Sequence, residues 1–430
     1  MDIGSQALSV FDALFTVRGV LVAVFVTIVV LYLLVYRNGI VLLGSGIVFL
    51  LSLSFSDNKY FDNTLIEPLE TIRQYSKPTS TALVLILGLR LIFWPRANRA
   101  RLWSGWMVVF LSFQAYYLLV LGLFNDFSRG FFGIISAVGL CFTFSLGFGK
   151  LSMPALSGTA VRDAWVLGGL GFIGANVAQL VGGYGNALPG GRLAGVSGNP
   201  QQLAAAAVIF TIVANWTLET STTLVKKSAA IACMAMLALF VLWSGSRTGA
   251  ICLVTVHLAY FRLKVGRLAL VFVLTAILLL GLTLVFAESA YLVERFRYGD
   301  DTRSAVWLRA IDDFARSPVL GMIISDRGSE PMNVVESGYL RALALLGMPG
   351  AIATIALMLT ILGTAWRSLR IAKSFPEVGP LSNVICATAS FIILVSFFEG
   401  FIFGLITIFT AFVYSVGSLV ACVNDSGEES

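Results

Sequence analysis

The sequence predicts an all-α, polytopic integral membrane protein with about 12–13 transmembrane helices, a prediction carried by three observations. Hydrophobic residues make up 58% of the 430 and charged residues only 12%, a balance that excludes one or two soluble domains. Apolar runs near the length an α-helix needs to cross a bilayer recur from end to end. These runs are continuously hydrophobic and lack the period-two alternation of lipid-facing strands, which argues against a β-barrel.

In chain order the candidate segments are roughly 19–36, 39–55, 80–95, 104–124, 130–149, 164–184, 201–217, 228–244, 248–261, 267–287, 340–366, 382–399 and 401–422. The amino-terminal MDIGSQALSVFDALF lacks a basic flank and a small-residue cleavage site, so the first run is expected to stay as a transmembrane helix. Orientation comes from four basic clusters: Arg96, Arg99 and Arg101; Lys226 and Lys227; Arg262, Lys264 and Arg267; and Arg367, Arg370 and Lys373. The positive-inside rule puts all four in the cytoplasm. Alternating crossings then place 185–200, 244–248 and 288–337 outside, with Arg37 inside and the polar stretch 55–79 outside.

This divides the chain into transmembrane helices with short loops over 1–287, a larger outer loop over 288–337, further transmembrane helices over 338–423 and a cytoplasmic tail over 424–430. Within the loop, Ala305, Val306, Leu308, Ile311 and Phe314 recur at helical spacing against Arg309, Asp312, Asp313 and Arg316. An amphipathic helix is expected there, ending before Ser317-Pro318.

The five cysteines lie scattered in apolar segments without CxxC pairing, so they read as packing residues and not as a metal or disulfide framework. His257, the only histidine, sits in an apolar run and is expected to hydrogen-bond to a neighbouring helix. A net charge of +6 reports membrane topology here, and nucleic acid is not an expected partner.

Four polar elements could carry chemistry, and all fall on the outer side. In GRLAGVSGNPQQLA (191–204), glycines allow sharp turns, and a helix starting at Asn199-Pro200 would aim its amides and positive dipole end at an anion held by Arg192. An ordinary polar loop with a charged anchor is the other reading. WSGSRTG (243–249) is a tight turn carrying Arg247, which either snorkels to headgroups or binds a ligand. Arg303 sits in the first turn of the amphipathic helix, four residues before Trp307. ESGYLRALALLGMPG (336–350) opens with Glu336, a carboxylate near apolar walls that could act as a general base or could simply cap a helix.

Taken in order, GRLAGVSGNPQQLA, SGSRTG, TRSAVW…ARSPVLG and ESGYLRALALLGMPG resemble motifs of the O-antigen ligase and O-antigen polymerase superfamily of bacterial envelopes, over roughly residues 160–365. The resemblance implies a multi-pass glycosyltransferase of the bacterial inner membrane with its active site facing the periplasm. Its implied donor is an undecaprenyl-diphosphate-linked oligosaccharide, its implied acceptor a glycan, and a chain-length regulator is a further possible partner. Matched motif by motif, Arg192, Arg247 and Arg303 would hold the lipid diphosphate, a task suited to guanidinium forks. Glu336 would take the proton of the acceptor hydroxyl in an inverting transfer. Asn199, Gln201, Arg295, Arg297, Trp307, Ser337 and Tyr339 are the candidate substrate-binding residues around them. No metal or other cofactor is expected.

The chain departs from the ligases in carrying Glu336 and Ser337 where they usually have histidine and asparagine. That departure favours a polymerase of O-antigen, capsule or exopolysaccharide, with a ligase acting on lipid A core or another acceptor as the alternative. A transporter or flippase is a third reading, but such proteins place ionisable residues at the bilayer midplane. Here the deep segments are nearly uncharged, with Arg90 the main exception.

Overall fold

The computed structural model describes residues 37–53, 65–92, 104–147, 159–182, 187–188, 192–262, 302–325, 337–403 and 407–428. In chain order these form α1 (Arg37–Leu53), α2 (Leu69–Ile92), α3 (Gly105–Phe124), α4 (Phe127–Leu140, continued by a π-helical stretch Cys141–Gly147) and α5 (Thr159–Val181). A two-residue hairpin, β1 (Ala187–Leu188) with β2 (Arg192–Leu193), precedes α6 (Pro200–Thr220), α7 (Leu224–Trp243) and α8 (Arg247–Phe261). Then come α9 (Thr302–Arg316), α10 (Met322–Ser325), α11 (Gly338–Ser374), α12 (Gly379–Phe398) and α13 (Ile408–Glu428).

The protein is membrane-embedded and essentially all-helical. Six of these helices are long and apolar enough to cross a bilayer, and four shorter apolar helices accompany them. Of the expected segments, 19–36 and 267–287 lie outside the described residues, and each of the others contains a helix. Two boundaries and one added element differ from expectation. Helix α2 begins at Leu69, so the second half of the stretch expected as an outer polar loop is helical, because Glu70, Arg73 and Ser76 satisfy one another and the backbone inside the helix. The hairpin adds a minimal β element to a chain expected to be purely helical. Helix α11 runs to Ser374, eight residues beyond the expected end.

Helix α6 is the centre of the bundle. Every residue from Leu203 to Trp216 is buried, and the run Ala204–Ala207 keeps its surface small enough for neighbours to approach closely. Gly249 of α8 packs directly against Ala204, and Gly169 of α5 against the ring of Phe210. Trp165 extends that contact: its ring meets Phe210 and Phe412, and its indole N–H donates to Ser415 Oγ on α13 at 3.0 Å. Leu119, Leu123, Leu359 and Leu362 are exposed on the outside of the bundle, where lipid accepts side chains that water would not.

The expected amphipathic helix is α9, with the expected bounds. Ala310 packs on Ala344 and Leu340 of α11, and farther along Met348 N–H donates to Pro318 O at 2.8 Å. The two helices therefore run side by side in the same direction. Their contact depends on Gly347, which kinks α11 at φ 63°, ψ −153°, a conformation open essentially to glycine alone. His257 departs from expectation: its Nδ1–H donates to Leu253 O of its own helix at 2.8 Å, one turn back, where the carbonyl keeps a second lone pair beside its helical hydrogen bond.

Gly347→Ala should lower stability by about 1–3 kcal/mol, because its Cβ would stand 2.8 Å from both Gly321 N and Pro318 O. Gly363→Ala, whose Cβ meets nothing within 4 Å, is the control. Thermal unfolding in detergent should show a clear loss for the first and none for the second.

Candidate functional site at one end of the bundle

Polar contacts sort the helix ends into two groups. At one end, Glu219 of α6 accepts from Tyr260 Oη of α8 (2.8 Å) and from Asn383 Nδ2 of α12 (3.1 Å), while Arg162 of α5 donates to Thr220 Oγ1 (2.7 Å). Lys226, Lys227 and Arg262 adjoin this end, where α7 begins and α8 finishes. At the opposite end gather the amino termini of α6, α8 and α11 and the carboxyl termini of α5, α7 and α12.

The loop leading to α6 is built from inside the bundle. Asn176 of α5 is buried; its amide donates to Phe172 O (2.9 Å), and its Oδ1 accepts from Val196 N–H (3.1 Å). Gly195 turns over it at φ 56°, and a side chain there would strike Asn176 Oδ1. Ser197 adds a bond to Ser52 O of α1 at 3.3 Å. Asn176 and Ser197 thus hold the loop that follows Arg192.

Arg192 Nε donates to Ser244 O at 2.8 Å. Ser244 is the C-cap of α7 and opens the turn that Ser246 closes as N-cap of α8, accepting from Gly249 N–H at 3.1 Å. The first two sequence elements therefore meet at one turn. Arg247 follows as the first residue of α8, exposed, and no carboxylate among the described residues pairs with it. A cation there adds to the positive dipole end of its own helix, an arrangement that favours an anion nearby.

The other predicted elements reach the same end by different routes. Gly338, first residue of α11, lies against Ile402 and against the carbonyl of Glu399. Because α9 runs parallel to α11, its first turn, which carries Arg303, lies level with the start of α11. Glu336, Arg295 and Arg297 fall outside the described residues, as does the side chain of Arg303. Trp307 is half-buried on α9, and its indole N–H has no hydrogen-bond partner among the described residues.

Three predicted substrate-binding residues are engaged in structure. Asn199 Oδ1 caps α6 by accepting from Gln201 N–H at 2.8 Å. Ser337 Oγ caps α11 through Leu340 N–H, a longer contact of 3.5 Å. Tyr339 Oη donates to Ile393 O at 2.9 Å, and its ring packs edge-on against Phe397. Gln201 is half-buried in the first turn of α6, and its side chain lines a narrow crevice.

That crevice contains a residue that the sequence reading passed over. Glu399, only 5% exposed, sits at the C-cap of α12 and lines the crevice with Gln201, Ser246, Thr248 and Phe401. A signal was present in the chain: Glu399 is the only charged residue between Glu377 and Asp425. Arg341 was also passed over. Its guanidinium carbon lies 5.4 Å from the Phe403 ring centroid, and its buried Nε has no hydrogen-bond partner among the described residues. Gln114 of α3 holds the intervening segment by donating to Ile402 O.

Among the described residues, no three His, Cys, Asp or Glu side chains come together to hold a metal ion. None of the five cysteines is in a disulfide. No protein-family model matches the chain, and no curated protein matches it.

Asn176→Ala should strip the Val196 N–H of its buried acceptor, costing about 1–3 kcal/mol locally. Hydrogen exchange should quicken across residues 193–198 and stay unchanged around Glu219. Unchanged exchange in 193–198 would show that Asn176 does not hold the loop.

Proposed function

We propose that this protein is a polysaccharide polymerase, extending O-antigen, capsule or exopolysaccharide at the periplasmic face of a bacterial inner membrane. The observation that carries the reading is the meeting of the Arg192 loop with the Arg247 turn through the Arg192–Ser244 bond, beside the start of α11. Two of the four motifs that resemble this enzyme family, far apart in sequence, thus meet at one turn. Arg303 is the third proposed arginine, and its place in the first turn of α9 is compatible with the same locality.

In the proposed reaction an acceptor hydroxyl attacks the anomeric carbon of the lipid-linked donor. The bond from that carbon to the diphosphate oxygen breaks, and the undecaprenyl diphosphate leaves with its electron pair. Arg192, Arg247 and Arg303 neutralise the leaving group, and the carboxylate of Glu336 takes the hydroxyl proton. Attack from the face opposite the leaving group inverts the anomeric configuration. Two helix amino termini, of α6 and α8, add partial positive charge where the diphosphate develops its own negative charge.

Purified protein in nanodiscs, given an undecaprenyl-diphosphate-linked oligosaccharide, should produce a ladder of lengthened chains. Single transfer to a core acceptor without a ladder would instead indicate a ligase. Arg247→Ala and Glu336→Gln should each reduce elongation by about 10²-fold or more, the scale of removing one preorganised charge-stabilising group. Full activity in the Arg247→Ala variant would sink the diphosphate clamp.

A further inference from the structure

Beyond the Gly347 kink, α11 turns one long face away from the bundle. Its large exposed side chains are Met348, Ile352, Ile355, Leu359, Leu362 and Trp366. They recur every three or four residues, which keeps them on a single face of the helix. From Met348 to Trp366 that face is about 27 Å long at 1.5 Å per residue, close to the roughly 30 Å of a bilayer's hydrocarbon core. Lipid chains cover it.

The same face continues past Trp366 as Arg370 and Lys373, both exposed. The other side of this stretch is taken up by packing: Ser368 is buried, and its hydroxyl lies 3.2 Å from Ser382 Oγ of α12. Trp366 and Arg370 stand two residues to either side of Ser368, about 200° around the helix, and so point away from α12. Arg370 is held there, with its guanidinium carbon 5.4 Å from the Trp366 ring centroid, a cation–π contact. Among the described residues no carboxylate pairs with Arg370 or Lys373, and α11 itself contains no acidic residue. Ser382 adjoins Asn383, the partner of Glu219, so these cations belong to the Glu219 end of the bundle.

We infer that this basic end of α11 docks the headgroup of an anionic phospholipid, in the leaflet at the Glu219 end of the bundle. Lipid is the occupant because the charged surface is continuous with the face that acyl chains cover. Chains pack along Leu359 and Leu362, and the Trp366 indole sits where hydrocarbon gives way to headgroups. Arg370 and Lys373, roughly 6 and 10 Å farther along the axis, reach the phosphate. The guanidinium, fixed against the ring, forks onto phosphate oxygens, and the ammonium adds a point charge. A zwitterionic headgroup carries its own cation and gains less. This docking is independent of the glycosyl-transfer reading, since it lies at the opposite end of the bundle from Arg192 and Arg247.

The test titrates the full-length protein in detergent with phosphatidylglycerol or phosphatidylcholine and counts bound lipid by native mass spectrometry. The wild type should retain phosphatidylglycerol in preference to phosphatidylcholine. Arg370→Gln combined with Lys373→Gln should weaken phosphatidylglycerol binding roughly thirtyfold, the scale of two basic side chains at a charged membrane surface, and leave phosphatidylcholine unchanged. Lys226→Gln combined with Lys227→Gln removes the same charge from the same end, at the start of α7, and should leave both lipids unchanged. Thermal unfolding monitors folding. Arg370→Gln alone, with a loss of roughly fivefold, is the second variant should the pair not fold.

Equal losses in the two double variants would show that phosphatidylglycerol answers to net charge alone, and no loss in the Arg370 and Lys373 variant would show that it binds elsewhere. Either result overturns the docking. So does saturable binding of soluble poly-glutamate to the wild type in phosphatidylcholine nanodiscs, if the Arg370 and Lys373 variant loses it while keeping phosphatidylglycerol; the surface would then belong to an acidic protein. Lipid binding is read here without any glycan, so a failure of the docking leaves the polymerase reading untouched.

Discussion

A bilayer's interior offers no water to backbone amides, and the rest of this structure follows from that constraint. A peptide group facing lipid must bond within its own helix, so irregular backbone, and the polar chemistry it can present, is confined to helix ends and to places that protein covers. The two ends of this bundle use that freedom differently. One is tied by Glu219, Tyr260, Asn383 and Arg162, whose bonds join α5, α6, α8 and α12 to one another. The other gathers arginines, glycine turns and a buried carboxylate around helix termini.

Helix α6 makes the second arrangement possible. Its alanine-rich face lets α8 approach until Gly249 touches Ala204, which brings the Ser246 cap and Thr248 alongside Gln201. A larger residue at either position would push the helix ends apart and widen the crevice. Packing deep in the bundle thus decides the geometry at its surface, and the small residues that look unremarkable in composition carry that role.

Much of this was legible in the sequence, for identifiable reasons. Apolar length revealed the helices, and the period of Ala305, Val306, Leu308, Ile311 and Phe314 located α9 to the residue, because amphipathic spacing has no other physical origin in a chain with Ser317-Pro318 as a stop. The arginines stood out because charge is rare here. Glu399 did not, since a carboxylate at the edge of an apolar run looks like a loop residue until the turn after α12 is seen folded under the ends of α6 and α8. Asn176 was hidden for a related reason: its partner, Val196, is a backbone group twenty residues away, and side chain to backbone pairing leaves no pattern in sequence. Asn199 was recognisable as a loop terminator, but only the structure separates its capping bond from a bond to ligand.

The central claim is that the end of the bundle carrying Arg192 and Arg247 is the one that faces away from the cytoplasm. Single cysteines placed at Arg247, Lys226 and Arg367, all exposed positions, test it when intact cells are treated with a membrane-impermeant maleimide. Labelling at 247 in intact cells, with 226 and 367 reacting only after permeabilisation, is the result expected. Labelling at 226 or 367 in intact cells, with 247 protected, would turn the molecule over and remove the site from the compartment that the proposed reaction requires.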